Sequence, residues 1–321
     1  MVSIIIPNYN KSKYIEETIS SVLNQVYKDW ECIIIDDFSS DNSVSLISSL
    51  ITNDKRFSLI KNLNNKGANF SRNLGLKKSK GDFLIFLDAD DVLHQNCLSS
   101  RVDILLSESN LDFGVFPVGT FHEFLGDNEF VWNNFEGIHL DRFLYHDLPW
   151  LICSVIWKRK TILELEGFNP SFNRMQDVEL HSRVLLNNKI TYKTFPDQKP
   201  DVYFRINNDR ITDKFNFCKK DIKSKLLYVE SFYKLLSNNK NYYKIKFLRG
   251  TLFESYSLIF SFYSKSCISK KQLDYLLDYN LKSKDLLNRG VFSKTLNFFY
   301  LFLRRNNIYF FGMNKFFKMY F

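Results

Sequence analysis

The chain has 321 residues, enough for one large core or for one domain with an appended module. With 45% hydrophobic and 25% charged residues it falls in the ordinary globular range, which excludes wholesale disorder. The net charge of +9 is uneven, since residues 1–215 hold 24 Lys and Arg against 29 Asp and Glu while residues 216–321 hold 20 against 6.

In chain order, Val2–Ile6 is a short β-branched run closed by Pro7 and Asn8, the pattern of a buried strand. Ser12 can cap a following helix, in which Ile15, Ile19, Val22, Leu23 and Val26 form one apolar face. Trp30–Ile35 is the next buried strand, ended by Asp36 and Asp37. A second helix opens at Asp41 or Ser43 and runs to about Leu50. Phe57–Lys61 is a third strand, Gly67–Lys78 a third helix, and Phe83–Leu87 a fourth strand ended by Asp88-Ala89-Asp90-Asp91. This alternation predicts βαβ units in an α/β fold, a mostly parallel sheet flanked by helices. Ligands bind beyond the carboxyl ends of such strands, so Asn8, Asp36, Asp37, Asp88, Asp90 and Asp91 are expected on one rim. Beyond Gln95 the pattern loosens. A helix near Cys97–Leu106, a strand over Phe113–Val118 and a helix over Asp177–Leu186 are expected, and residues 195–215 read as a loop broken by Pro196 and Pro200. From about residue 216, Ile222, Leu226, Val229, Tyr233 and Leu236 follow helical spacing, as do Ile245, Leu248, Leu252, Tyr256 and Ile259. The expected organisation is a catalytic domain over 1–215 and a basic, aromatic-rich helical region over 216–321.

Cys32, Cys97, Cys153, Cys218 and Cys267 form no CxxC pair and are odd in number. That argues against a disulfide framework or a zinc site and for a reducing compartment. Met1 leads directly into Val2–Pro7 with no basic n-region or cleavage site, so no signal peptide is expected. No run approaches the ~18 apolar residues of a membrane span.

Asp88-Ala89-Asp90 carries the strongest chemical signal. Two carboxylates two residues apart at a strand end can clamp a hard cation, Mg²⁺ or Mn²⁺, and leave coordination positions for phosphate oxygens. A metal on a diphosphate stabilises the leaving group as its charge develops. No HxxxH spacing, GxSxG elbow or P-loop is present. Pro-Asn-Tyr-Asn after the first strand, in place of GxGxxG, argues against a dinucleotide oxidoreductase.

Four segments carry a family likeness. They are Val2–Asn10 with Ser21–Gln25; Trp30–Asp41; Asn65–Asn73 leading through Gly81-Asp82 into Phe83–Asp91; and Gly167-Phe168-Asn169 followed by Gln176–Leu180. In order and spacing, over about residues 1–185, the chain resembles the family 2 glycosyltransferases of the GT-A fold, Rossmann-like and inverting. The resemblance implies that Pro7, Asn8 and Tyr9 line the nucleotide pocket and that Asp37 hydrogen-bonds the base, usually uracil. It puts Gly67 and Arg72 in the segment that shapes the donor site, where a glycine permits close backbone approach and an arginine can face phosphate. It implies that Asp88 contacts the donor ribose, that Asp90 binds the metal with Asp88 beside it, and that Asp91 supports the loop. Asp177 matches the catalytic base that takes a proton from the acceptor hydroxyl. The family's usual Glu before that base is Gln176 here, and Glu179 is the alternative carboxylate. Read without the family, Gly67 is a helix entry, Arg72 a surface charge and Asp177 equally a helix N-cap. The segment Trp150–Ser154 lies where the family builds acceptor contacts, and Arg205 sits in a loop able to close over a diphosphate.

The implied function is transfer of a sugar from a UDP-sugar, with Mn²⁺ or Mg²⁺, to a glycan or lipid-linked acceptor in bacterial surface polysaccharide synthesis. The implied location is the cytoplasm or the inner face of the cell membrane. A sugar nucleotidyltransferase and a non-catalytic nucleotide-sugar-binding or membrane-scaffold protein are the alternatives. The basic, aromatic tail around Phe298–Phe317 suits either peripheral contact with an anionic membrane or packing on the protein itself. Nucleic acid is not an expected partner, because no nucleic-acid motif accompanies the basic charge.

Overall fold

Val2, Ile4, Ile5 and Ile6 are all fully buried. Their β-branched stiffness suits a strand covered on both faces, and they form the middle of β1 (Val2–Asn8). The computed structural model describes residues 1–207, 213–238 and 240–281. After β1 come α1 (Ile15–Leu23), β2 (Trp30–Asp36), α2 (Ser43–Ile51), β3 (Phe57–Lys61), α3 (Ala68–Lys78) and β4 (Phe83–Phe86). β1 pairs in parallel with β2 on one side and with β4 on the other, and β2 pairs in parallel with β3. α3 lies so close to the sheet that a Cβ on Gly75 would sit 2.5 Å from Ile5 Cγ2 and 2.8 Å from Ile35 Cδ1.

The chain continues through β5 (Val92–Leu93), α4 (Cys97–Ser107), β6 (Phe113–Val115), β7 (Val118–Phe121), β8 (Val131–Trp132) and α5 (His139–Tyr145). Then follow β9 (Val155–Lys158), α6 (Arg159–Glu164), α7 (Gln176–Leu186), β10 (Tyr192–Thr194) and β11 (Val202–Arg205). The main sheet has seven strands in the order β10-β6-β9-β4-β1-β2-β3, and only β9 runs antiparallel to its neighbours. A smaller sheet has the order β5-β11-β7-β8. The fold is therefore α/β with a mostly parallel sheet flanked by helices, as the sequence implies.

Two sequence expectations are corrected. Phe113–Val118 is not one strand: β6 belongs to the large sheet and β7 to the small one. Pro117 stands between them, and with no N–H it cannot extend a ladder. Residues 195–215 are not all loop, because β11 lies within them and pairs with both β5 and β7.

The chain forms two compact units. Among the described residues the first comprises 1–139, 148–171 and 179–207, and the second 140–147, 172–178, 213–238 and 240–281. The second unit holds α8 (Lys214–Ser237), α9 (Leu248–Ser264) and α10 (Lys270–Leu281). Cys218 and Ile222 of α8 pack there with Tyr256, Ile259 and Phe260 of α9 and with Leu273, Leu276 and Leu277 of α10. The helical spacing over 222–236 is realised in α8 and that from Leu248 to Ile259 in α9, with Ile245 in a 3-10 turn ahead of it. The Phe298–Phe317 stretch lies outside the described residues. Among the described residues no helix is long and apolar enough to cross a membrane.

Candidate functional site

The strand order β3-β2-β1-β4 reverses between β1 and β4. In open α/β sheets the ligand crevice lies beyond the carboxyl ends at such a reversal. Here those ends carry Asn8 and Asp88, and Asp36 pairs with Asn8 at the end of β2.

The loops after β1 and β2 are stitched together. Buried Asn8 donates from Nδ2 to Asp36 Oδ1 (2.7 Å) and to Ser39 Oγ (3.2 Å), and its carbonyl accepts from Asp37 N (2.8 Å). Asn10 donates from its backbone N–H to Ser39 Oγ and accepts on Oδ1 from Ser40 N (2.8 Å). Pro7 faces Ile35 one step before the ladder ends at Asn8 and Asp36, and Tyr9 beyond it is exposed. Burial pushes the Asp41 carboxyl up, but hydrogen bonds from Ser43 and Ser12 outweigh it and hold that group below the usual carboxylate range.

Asp37 is buried and holds the entrance to α3. Its Oδ1 accepts from Asn62 Nδ2 (2.8 Å) and Lys66 N (2.9 Å), and its Oδ2 from Gly67 N (2.7 Å). Three of the roughly four lone-pair positions of a carboxylate are so used. Gly67 has φ 86° and ψ 158°, a conformation essentially reserved for glycine. No atom lies within 4 Å of where its Cβ would be, so the backbone angle, not close approach, requires glycine. Asn62, which also donates to Ser71 Oγ (3.1 Å), escaped the sequence reading. A lone Asn after a strand gives no signal of its partners.

Buried Arg72 of α3 donates from Nη2 to Asp88 Oδ1 (2.6 Å), and its guanidinium lies 5.2 Å from the Phe168 ring centroid. Phe168 is fixed in turn by Asn73, which donates to its carbonyl (2.7 Å) and accepts from its N–H (2.8 Å). The residue before it, Gly167, has φ 65°, and a Cβ there would lie 2.4 Å from Asn73 Oδ1. Asp88 is 31% exposed, whereas Asp90 is only 1% exposed and accepts from Lys11 Nζ. Asp88 and Asp91 close a turn through Asp91 N to Asp88 O (3.1 Å). Asp91 supports that turn: its Oδ1 accepts from Arg205 N (3.1 Å) and its carbonyl from Thr18 Oγ1 (2.9 Å).

Arg205 corrects another expectation. It is a buried residue of β11, not a mobile loop cation. It donates from Nε to the Asp90 carbonyl (3.1 Å), from Nη1 to the His122 carbonyl (3.0 Å), and from Nη2 to Glu17. Its work is to brace the Asp88–Asp91 turn. The Trp150–Ser154 segment is also interior, with Trp150, Ile152, Cys153 and Ser154 buried.

Asp177 is the second residue of α7 and belongs to the second unit, while the residues above belong to the first. It is partly exposed and its Oδ1 accepts from Val178 N (3.0 Å). Buried Glu179 uses both oxygens on Arg183 (2.8 and 3.2 Å), which also donates to the carbonyls of Leu165 and Gly167. Among the described residues no group of three or more His, Cys, Asp or Glu side chains is arranged to hold a metal ion. A centre built of protein ligands alone is therefore absent from them, and Asp88 with Asp90 is the two-carboxylate set to consider.

The family model described as Glycosyl transferase family 2 matches residues 3–165. A UDP-Glc:alpha-D-GlcNAc-diphosphoundecaprenol beta-1,3-glucosyltransferase of Escherichia coli, WfgD, is 42% identical over 113 residues, which is 35% of this chain and 44% of that protein. The minor teichoic acid biosynthesis protein GgaA of Bacillus subtilis is 30% identical over 253 residues, 76% of this chain and 56% of its own length. The chain thus spans about half the length of each of these relatives. The crystal structure of Staphylococcus aureus TarS 1–349 in complex with UDP-GlcNAc superposes with a TM-score of 0.64 at 18% identity, over 99% of this chain and 89% of that one. At that identity the likeness speaks for the fold.

Proposed function

This chain belongs to glycosyl transferase family 2, and from that membership we propose that it is an inverting glycosyltransferase that moves a sugar from a UDP-sugar to a glycan or lipid-linked acceptor in bacterial surface polysaccharide synthesis. The observation that carries the proposal is the rim at the strand-order reversal, where Asn8, Asp37, Asp88 and Asp90 stand on loops bonded to one another or to α3. The relatives act in this chemistry by name: WfgD uses UDP-Glc and a diphosphoundecaprenol acceptor, and TarS binds UDP-GlcNAc.

In this reading Pro7, Asn8 and Tyr9 line the nucleotide pocket. Asp37 offers its remaining lone pair to the base while fixing Gly67 and the start of α3. Arg72 orients Asp88 toward the donor ribose. A divalent cation fits Asp88 and Asp90, because Mg²⁺ and similar hard ions are commonly held by one or two carboxylates with substrate phosphates completing the shell. When bound, such an ion neutralises charge on the departing diphosphate. Asp177 accepts the proton of the acceptor hydroxyl as that oxygen forms its bond to the anomeric carbon. The bond from that carbon to the diphosphate breaks on the opposite face, so configuration inverts.

Calorimetry with UDP, with and without Mn²⁺, tests the donor site. Wild type is expected to bind UDP more tightly with Mn²⁺, and Asp90→Ala to lose that metal-dependent gain. Equal UDP affinity in wild type with and without metal would contradict the assignment of Asp90.

A further inference from the structure

In the Asp88–Asp91 turn, Asp88 and Asp90 are paired with basic side chains that differ in kind. Arg72 is a buried, planar guanidinium, held over Phe168. Lys11 is a flexible ammonium whose side chain is 24% exposed, yet its Nζ stands 2.5 Å from Oδ2 of the buried Asp90. Its backbone is fixed, with Lys11 N donating to Ser43 Oγ (2.9 Å), next to the Asn10 bonds that stitch the two loops. Only the four-carbon stem of Lys11 is free to turn, and an ammonium on such a stem can change partners without moving the loop.

Charge decides what this arrangement does. Asp90 is buried, and its Oδ2 is held by the Lys11 ammonium. A divalent cation entering alone would have to displace that ammonium from the buried carboxylate. A cation arriving with a diphosphate brings its own counter-charge and gives the displaced ammonium an anion to meet. We propose that Lys11 is a metal gate: it occupies Asp90 until a divalent cation and a nucleoside diphosphate bind together, and then pairs with a diphosphate oxygen. This inference rests on the donor-site reading above and adds to it a residue that makes metal binding depend on the nucleotide.

The test measures free Mn²⁺ by electron paramagnetic resonance, titrated into wild type, Lys11→Met and Lys11→Arg, with and without UDP. Lys11→Met is expected to bind Mn²⁺ alone on the order of tenfold more tightly than wild type, the size of an ordinary coupling between two ligands. It is also expected to bind UDP more weakly at saturating Mn²⁺. Lys11→Arg, which keeps the charge, should follow wild type. Lys11→Gln serves as the neutral variant if Lys11→Met does not fold. Neutral variants that bind Mn²⁺ alone no more tightly than wild type would overturn the gate and leave the donor site standing, as a merely structural ion pair would do. Failure of all the proteins to bind UDP at any Mn²⁺ concentration would overturn the donor-site reading and the gate together.

Discussion

Phe38 follows Asp37 with φ 67°, a left-handed backbone that costs a bulky L-residue about 1–2 kcal/mol. The bonds on either side hold the loop in this shape: Asp36 Oδ2 accepts from Ser39 N (3.0 Å) and Asn10 Oδ1 from Ser40 N (2.8 Å). Its ring is 59% exposed, so little burial offsets the strain. Phe38→Gly is therefore expected to stabilise the protein by about 0.5–1 kcal/mol, net of glycine's greater freedom in the unfolded chain. Denaturant unfolding checks this, and a clear loss of stability would show that the ring is held by contacts stronger than its exposure implies. Residues such as Gly67 and Asp88 were legible as site candidates because family motifs mark them. Lys11 and Asn62 were not, and Arg205 was read as a loop cation, since their importance lies in partners 79, 25 and 115 positions away, a pairing that only the folded chain reveals.

At the scale of elements, Arg101 ties three of them together. It lies on α4, is 0% exposed, and donates to both oxygens of Asp201 ahead of β11 (2.6–3.2 Å) and to the Cys153 carbonyl ahead of β9 (3.0 Å). Removing one member of a buried pair leaves an uncompensated charge, so Arg101→Met is expected to cost about 3–5 kcal/mol. The double variant Arg101→Met with Asp201→Leu should recover most of that loss, because apolar groups of similar volume need no partner. Urea unfolding of the three proteins decides it, and a double variant as unstable as the single would contradict the account. Among the first elements, β1, β2 and β4 were readable as buried apolar runs and α1 as a repeated apolar face. Of the later strands only the stretch Phe113–Val118 registered, as one strand in place of β6 and β7. β5 and β8 have two residues each and β10 three, too short for any period to register. What makes them strands is pairing with distant neighbours.

For the whole molecule, the cysteine pattern gives a direct check on the cores of both units. None of the five thiols is in a disulfide. Burial pushes Cys32, Cys97 and Cys153 well up from the ordinary thiol range and Cys218 up to about 12, whereas Cys267 is exposed. Because only the thiolate reacts, a thiol reagent should label Cys267 quickly in the native protein and the other four only on unfolding. Fast labelling of a second cysteine would mean that one core is looser than described. The basic excess beyond residue 215 was plain from composition, and the helical spacing there foretold α8 and α9. Composition alone left open whether that charge meets a membrane or the protein itself, because both bury aromatic rings beside basic groups.

The proposed transfer from a UDP-sugar turns on Asp177 as the base. It is tested by following UDP release from a panel of UDP-sugars for wild type and Asp177→Asn, with UDP affinity measured on both. Wild type is expected to release UDP from at least one donor. Asp177→Asn is expected to keep its UDP affinity and to lose release by on the order of 10²–10⁴-fold, the usual contribution of a general base. Release by Asp177→Asn at the wild-type rate would rule out Asp177 as the base.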